Sequence, residues 1–365
     1  MTVNSVKIKN FRNISDLSFA ADNGVNVIYG ENAQGKTNIL ESIWLFTGCK
    51  SFRGAKDNEF IKFGEDFAKI NLEFSDNLRD KKSEIIISDK KKNVSHNGVQ
   101  LRSSAELIGS FYAVIFSPVH LSLIKDGPSA RRKFLDTALC QLKPAYAQSL
   151  AGYKRALIQR NALLKDIHMN SGLYDMLDTW DEQIARYSST VIKERLAYID
   201  LLSEYSKSIY SGISENKEEF SVFYSRNDLN AENLSLNDIY SIELNNLKEN
   251  RKEDIISKST TVGPHRDDLE ILINNVSARS FGSQGQQRSC ALALKLGESE
   301  IIKKVTGETP VALLDDVMSE LDEKRQDYVL NHINDRQVFL TCCDPSQVLR
   351  LCGGKSFLVK EGEII

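Results

Sequence analysis

The sequence predicts an α/β fold: a mixed sheet assembled from the two ends of the chain and interrupted by a helical insertion. Three observations carry that prediction. The apolar run Val25-Asn26-Val27-Ile28-Tyr29 ends on Gly30-Glu31-Asn32-Ala33-Gln34-Gly35-Lys36-Thr37 and is followed by an apolar helical stripe. A second apolar run, Val311-Ala312-Leu313-Leu314, ends in two carboxylates, Asp315 and Asp316. Between these runs, over residues 129–258, the periodicity is mostly helical.

Taken in order, residues 3–9 alternate as a half-buried strand does. Ile39, Leu40, Ile43, Trp44 and Phe46 form one stripe and predict a helix over 37–46. Strand-like pieces follow at 68–74, 84–88 and 112–116, with a hairpin signal at Asn97-Gly98. Pro144 suits the first turn of a helix. Over 173–209, Leu173, Leu177, Trp180, Ile184, Tyr187 and Val191 recur at alternating spacings of four and three, the seam of a bundle helix or a protruding arm. One helix of that length spans about 55 Å. Residues 211–258 are polar apart from a β-like patch at 220–224, and are expected to end the insertion. After Gly263-Pro264, a strand at 269–273, a helix at 289–303 and strands at 311–314 and 338–341 restore the α/β pattern. The predicted organisation is therefore 1–128, the first part of an α/β head; 129–258, a helical insertion; and 259–365, the rest of the head.

Composition excludes several classes. Of 365 residues, 41% are apolar and 27% charged, ordinary globular usage that argues against disorder or a disulfide mini-fold. Lys plus Arg at 47 against Asp plus Glu at 50 leaves −3, so the chain is no polycation, although a local basic surface remains open. No run reaches the length of a transmembrane helix and the start lacks a secretory apolar segment, so a cytoplasmic protein is expected. The six cysteines contain no C-x-x-C pair; reduced, mostly buried thiols are expected, and neither zinc nor disulfides.

Gly30 to Thr37 fits G-x-x-x-x-G-K-[ST], in which backbone N–H groups wrap phosphates, the Lys reaches the terminal ones and the hydroxyl ligates Mg²⁺. The loop residues Gly30, Glu31, Asn32, Ala33, Gln34, Gly35, Lys36 and Thr37 are therefore the candidate ATP site, placed at the positive end of a helix dipole. Asp315 is the expected Mg²⁺ partner of Thr37. Asp316 stands where a general base would hold the attacking water.

A third motif follows. Gly282-Ser283-Gln284-Gly285-Gln286-Gln287-Arg288 opens a helix and resembles the signature of ABC-type ATPases, in which a Ser hydroxyl and a helix N-terminus grip the γ-phosphate across a dimer. Ser283, Gly285 and Gln286 join the candidate set on that basis, with Ser283 counted among the catalytic residues beside Lys36 and Asp316. Ser319-Glu320-Leu321-Asp322 resembles the D-loop of that class. Three positions depart from its usual pattern: Gly282 replaces a Leu, Asp316 replaces a Glu and so implies slow hydrolysis, and Thr341 stands where many transporters carry His. Thr37 and Ser283 bracket two thirds of the chain, which leaves room for a short SMC-like helical arm but not for a long coiled coil.

The stretches Lys125-Asp126-Gly127-Pro128-Ser129-Ala130-Arg131-Arg132-Lys133-Phe134-Leu135-Asp136 and Gly263-Pro264-His265-Arg266-Asp267-Asp268-Leu269, with the signature and the opening Lys9-Asn10-Phe11-Arg12-Asn13, resemble the bacterial RecF family over nearly the whole chain. That resemblance implies an ABC-type ATPase head that dimerises around two ATP molecules, a weak ATPase acting as a switch, and ATP-dependent binding to duplex DNA near single-strand gaps. It also implies partnership with RecO and RecR in loading RecA. Val119 departs from a Glu common in the family. Related heads suggest that Arg12 approaches a phosphate. Lys50, Arg53, Lys56, Arg131 and Arg132 are the candidate DNA contacts, with Lys133, Lys81-Lys82 and Lys90-Lys91-Lys92 as further basic clusters. His265 and Arg266 are expected to brace the arm against the head. The alternative is the same ATPase type coupled to transport or to a defence nuclease.

Overall fold

The computed structural model describes every residue except 90, 168–170, 227, 229–233 and 347–352. Lys90 and Cys352 lie outside the described residues. In chain order the elements are β1 (Thr2–Phe11), β2 (Ile14–Ala20), β3 (Val25–Tyr29), α1 (Lys36–Trp44), β4 (Phe67–Ser75), β5 (Asp80–Ser88), β6 (Lys91–His96), β7 (Val99–Leu101), β8 (Ala113–Phe116), α2 (Pro118–Leu121), α3 (Pro128–Leu142), α4 (Pro144–Ile167) and α5 (Met176–Ile213). There follow β9 (Phe220–Ser225), α6 (Leu236–Glu249), α7 (Arg251–Ser257), β10 (Asp268–Ile273), β11 (Val276–Ser277), α8 (Ala278–Phe281), α9 (Gln284–Thr306), β12 (Val311–Asp315), α10 (Glu323–His332), β13 (Val338–Cys342), β14 (Lys355–Lys360) and β15 (Glu363–Ile364).

Two sheets build the head. The first is antiparallel, ordered β2-β1-β4-β5-β6-β7. Its strands alternate because one face is solvated: Val6 and Ile8 of β1 are buried while Lys7 and Lys9 are exposed. The second is ordered β15-β14-β3-β13-β12-β8 and is parallel except for β15. Both of its faces are covered, so Val311 to Leu314 of β12 are all buried. One face, with Ile28, Ile115, Leu313 and Phe339, shares a core with α1 and the antiparallel sheet. The other, with Val27, Phe116, Leu314 and Leu340, packs on α3, α5 and α9.

The long periodic stretch is one helix, α5, 38 residues long. Its seam is covered and does not protrude: Ile184 and Ala185 pack against Tyr153 of α4 and Leu247 of α6, and Leu177 meets Leu163 and Leu164. The C-terminal half of α5 lies in the same core as α9, so lobe and head are continuous. A Cβ on Gly152 would stand 2.5 Å from the Tyr187 ring, which explains a glycine in the middle of α4. The polar segment after residue 211 does more than end the insertion. Its β-like patch is β9, which pairs antiparallel with β10, Phe220 opposite Ile273. Two helices follow, α6 opening on a capping box at Ser235. Their apolar stripe is thin, with Ile239 and Leu247 buried, so polar residues dominate the sequence signal. Of the described cysteines none is bonded to another; Cys49 and Cys290 are buried, Cys140 and Cys342 half-buried and Cys343 exposed.

Candidate nucleotide site and signature helix

Parallel register assembles the site. β3, β13 and β12 are neighbours, with Asp315 beside Thr341 and Thr341 beside Ile28, so the phosphate loop, both carboxylates and Thr341 share the C-terminal edge of one sheet. Ligand sites of open α/β sheets form at such an edge. Gly30 sits at φ 149, and a Cβ there would stand 2.3 Å from the Val359 carbonyl oxygen of β14. Gln34 is pinned from the same hairpin: its side-chain oxygen accepts from the Glu361 N–H at 2.5 Å and its carbonyl from the Gly362 N–H at 3.0 Å. Glu31, Asn32 and Ala33 are exposed, and Ala33 holds a left-handed φ of 65. Gly35 caps α1, which begins at Lys36 and turns its unpaired N–H groups toward the loop.

Lys36 is buried, and its Nζ donates to the carbonyls of Gly30 at 2.7 Å and Glu31 at 2.9 Å. Thr37 Oγ1 donates to Asp315 Oδ1 at 2.7 Å. The Thr341 hydroxyl donates to the same oxygen at 3.1 Å and accepts from the Asp316 N–H at 2.9 Å. Burial raises the Asp315 carboxyl above the usual range, partly opposed by the two hydroxyls. The hard oxygens of Thr37 and Asp315 converge on one point, a donor set that suits Mg²⁺. Asp316 has φ 49, and its side chain makes no hydrogen bond among the described residues.

The signature is built by capping. Ser283 Oγ accepts from the Gln286 N–H at 3.2 Å while Gln286 Oε1 accepts from the Ser283 N–H at 2.8 Å, closing a capping box at the start of α9. Gln286 Nε2 also donates to Glu218 at 2.6 Å. Arg325 of α10 donates to the Gly285 carbonyl at 2.9 Å and to Ser289 Oγ at 2.9 Å, and Arg288 pairs with Glu320 at 3.0 Å. The D-loop and signature thus brace each other. No hydrogen bond joins the signature to the phosphate loop among the described residues.

Arg12 is turned to α1: it makes a two-pronged contact with buried Glu41, at 3.2 and 3.0 Å, and lies over the Phe60 ring. Ser51 donates to Glu41 at 2.5 Å, and Arg53 sits 3.6 Å from it. Glu41 escaped sequence reasoning because nothing local marks a buried carboxylate in an apolar stripe. Of the candidate DNA contacts, Lys50, Arg53 and Lys56 are exposed on one loop, next to exposed Lys133, whose Nζ donates to the Phe52 carbonyl at 3.1 Å. Arg132 is half-buried and bonded to the Asp267 carbonyl at 2.7 Å. Arg131 requires correction: it is 2% exposed, paired with Asp268 at 2.7 Å and bonded to the carbonyls of Ile124 and Asp126, so no phosphate reaches it. Lys81, Lys82 and Lys92 are each paired with a carboxylate, whereas Lys91 is exposed. Val119 is exposed on α2. His265 bonds to Tyr153 of α4 at 2.5 Å and the Thr260 carbonyl at 3.0 Å, and Arg266 reaches the same carbonyl at 3.3 Å.

A phosphate loop after β3, a carboxylate pair after β12 and a capped signature helix define a phosphate-loop ATPase head with an ABC-type signature. Residues 1–278 match the family described as the AAA ATPase domain. The DNA replication and repair protein RecF of Lachnoclostridium phytofermentans is 43% identical over 343 residues, which cover 94% of this chain and 92% of that one. RecF of Clostridium novyi is 45% identical over 344 residues, covering 93% and 92%. Two structures of the recombination mediator RecF of the RecFOR pathway are similar at 38% identity: RecF-ATPrS, with TM-score 0.93 over 99% of this chain and 97% of that one, and RecF-ATP, with 0.92 over 100% and 97%. An Smc head domain from Pyrococcus furiosus shares the fold alone, at 13% identity and TM-score 0.57 over 100% and 96%. The chain belongs to the RecF family of DNA replication and repair proteins, recombination mediators of the RecFOR pathway. Among the described residues no helix is long and apolar enough to cross a membrane.

Proposed function

We propose that this chain is an ATP-gated DNA clamp: ATP closes a homodimer on duplex DNA near single-strand gaps, and slow hydrolysis reopens it. The observation that carries this reading is the division of the site. Lys36, Thr37, Asp315 and Asp316 meet at one sheet edge, while Ser283 opens a helix whose contacts run to Glu218, Glu320 and Arg325. Ser283 is exposed, which leaves the signature of one copy free to meet the nucleotide of another.

ATP would lie along the loop from Gly30 to Thr37, whose N–H groups take the phosphates, and Lys36 would exchange two carbonyls for phosphate oxygens. Thr37 and Asp315 would hold Mg²⁺, which would supply charge neutralisation on the triphosphate. Asp316 holds the attacking water and accepts its proton; as an Asp it reaches less far than the usual Glu, which suits a weak ATPase. Arg12 steadies α1 through Glu41, at the edge of the phosphate site. Lys50, Arg53, Lys56 and Arg132 contribute DNA phosphate contacts. Only the closed dimer offers the full set, so ATP supplies the difference in affinity that a switch requires. RecO and RecR are the partners, and the setting is the bacterial cytoplasm.

The test is dimerisation and duplex binding by wild type, Lys36→Met and Ser283→Arg, with ATP, ADP or no nucleotide, at two salt concentrations. ATP should drive both events in the wild type; Lys36→Met should bind no nucleotide, and Ser283→Arg should bind ATP yet stay monomeric. ATP-driven dimerisation without salt-sensitive DNA affinity would reject the clamp.

A further inference from the structure

A third, small sheet is ordered β11-β10-β9, so β9 has a strand neighbour on one side only. An unpaired edge invites another chain, and folded proteins blunt it with short strands, charge, proline or burial. The strands at the other sheet ends follow that rule. β7, β11 and β15 are two or three residues long, β8 is buried throughout, and β2 carries Asp16. β9 departs from it: its six residues, Phe220-Ser221-Val222-Phe223-Tyr224-Ser225, hold no charge and no proline, and Phe223 is 41% exposed.

Register decides which groups of this edge are open. The Asn274 N–H donates to the Glu219 carbonyl at 2.8 Å, and Phe220 stands opposite Ile273. In an antiparallel ladder the bonds to β10 then fall on every second residue from Glu219, which turns the N–H and carbonyl of Phe220, Val222 and Tyr224 away from β10. The Arg226 N–H takes the Tyr224 carbonyl at 3.1 Å. The groups of Phe220 and Val222 face no strand among the described residues. The strand itself is held firmly, with Phe220 stacked on Tyr210 of α5 at 4.7 Å between ring centres.

Beside that edge a groove of about 390 Å³ runs between β9 and α5. Its walls are apolar at Leu196, Ile199 and Val222, and its charge is acidic. Asp200 and Glu204 stand one helical turn apart, both exposed and neither in an ion pair among the described residues. Lys207, the cation of the lining, lies 3.9 Å from Glu219. One turn separates the two carboxylates by about 6 Å along the helix, close to the roughly 7 Å between alternate side chains of an extended strand.

We propose that β9 is a docking edge for an extended, basic segment of a partner protein, which joins the sheet as a further strand and sets alternate Lys or Arg side chains against Asp200 and Glu204. Main-chain bonds to Phe220 and Val222 supply affinity, and the acidic groove supplies selectivity. A second copy of this chain is the poorer occupant, because pairing β9 with its own copy brings both sets of carboxylates to one seam.

The probe is a blocked octapeptide alternating valine and lysine, labelled with fluorescein and titrated by anisotropy with the full chain. One control peptide carries glutamate for lysine; another has methylated backbone nitrogens and so lacks the donors. The protein variants are Asp200→Lys/Glu204→Lys, on the exposed face of α5, and Val222→Pro, which deletes an N–H that β10 does not use; thermal unfolding confirms the fold. The wild type should prefer the lysine peptide about tenfold or more over the glutamate peptide, and Asp200→Lys/Glu204→Lys should invert that preference. Methylation and Val222→Pro should each weaken binding about tenfold, and the methylated peptide reads the same bonds should Val222→Pro not fold. The proposal is overturned if the wild type does not bind the lysine peptide, if the methylated peptide binds equally well, or if charge reversal leaves the preference unchanged. Self-association of the nucleotide-free wild type that Phe223→Lys abolishes would also overturn it, by giving the edge to a second copy.

Discussion

The edge of the parallel sheet and the interior of the helical lobe handle charge in opposite ways. In the lobe, Arg160 is fully buried and donates to Asp181 at 2.7 Å, Asp254 at 2.6 Å and Thr260 at 2.9 Å, while Arg251 takes the other oxygen of Asp181 at 2.6 Å. Arg195 is equally engaged, with Asp136 and the Pro264 carbonyl each at 2.7 Å. At the sheet edge, among the described residues, buried Asp315 receives only the neutral hydroxyls of Thr37 and Thr341, and the Asp316 side chain receives no hydrogen bond. The lobe pairs its buried cations with carboxylates, whereas the carboxylates of the edge stand beside neutral hydroxyls. Mutation should therefore cost folding in one place and chemistry in the other.

The largest effect expected is on chemistry. Asp316→Asn should lower ATP turnover by about 10²–10⁴-fold, measured by phosphate release. Stability should hold, because Asn tolerates the left-handed φ of 49 at this position. Unchanged turnover, or loss of the fold, would erase the contrast. Arg160→Met is the mirror experiment. It leaves Asp181 and Asp254 without their shared partner and should cost about 3–5 kcal/mol in urea unfolding, with nucleotide affinity of the folded fraction unaltered.

A smaller effect comes from pH. Burial pushes the His265 imidazole down to about 4 from its ordinary 6.5. The unfolded chain therefore binds this proton first as pH falls, so stability is full above about pH 7 and has lost about 2 kcal/mol by pH 5. The loss should saturate below pH 4, and His265→Gln should flatten this component of the urea midpoint against pH. The smallest effect is the loss of a cap: Ser283→Ala should cost about 1 kcal/mol in thermal unfolding. If Ser283 also grips a nucleotide across the dimer, that variant will weaken ATP-driven association beyond the change in stability.

Much of the sheet edge was legible in the sequence because its chemistry is local. Gly30 to Thr37 lie in one loop and Asp315 and Asp316 end one strand, so local spacing exposes them, while Ser283 and Gln286, which cap one helix, are marked by the resemblance of their motif to the ABC-type signature. Other functional neighbours were invisible because their partners are remote. Glu41 looks like a helical surface residue until Arg12 and Ser51 close on it. Glu218 reaches Gln286 only after the insertion folds back on the head. Arg131 misled for the same reason: in a basic run it reads as a phosphate contact, but Asp268 and two carbonyls bury it. Heptad-like spacing predicted the long helix, yet spacing could not show that α4, α6 and α7 cover its seam.

The position of β3 has a consequence for biosynthesis. This strand leads into the phosphate loop and leaves the ribosome early, but both of its sheet neighbours, β13 and β14, are among the last segments translated. Asn26, for example, bonds to the carbonyl of Val338, 312 residues away. The Val359 carbonyl that abuts Gly30 comes later still. A nascent chain thus carries its nucleotide motif through most of translation without the strands that seat it, and a message broken before codon 338 yields a product in which the loop has no sheet to stand on.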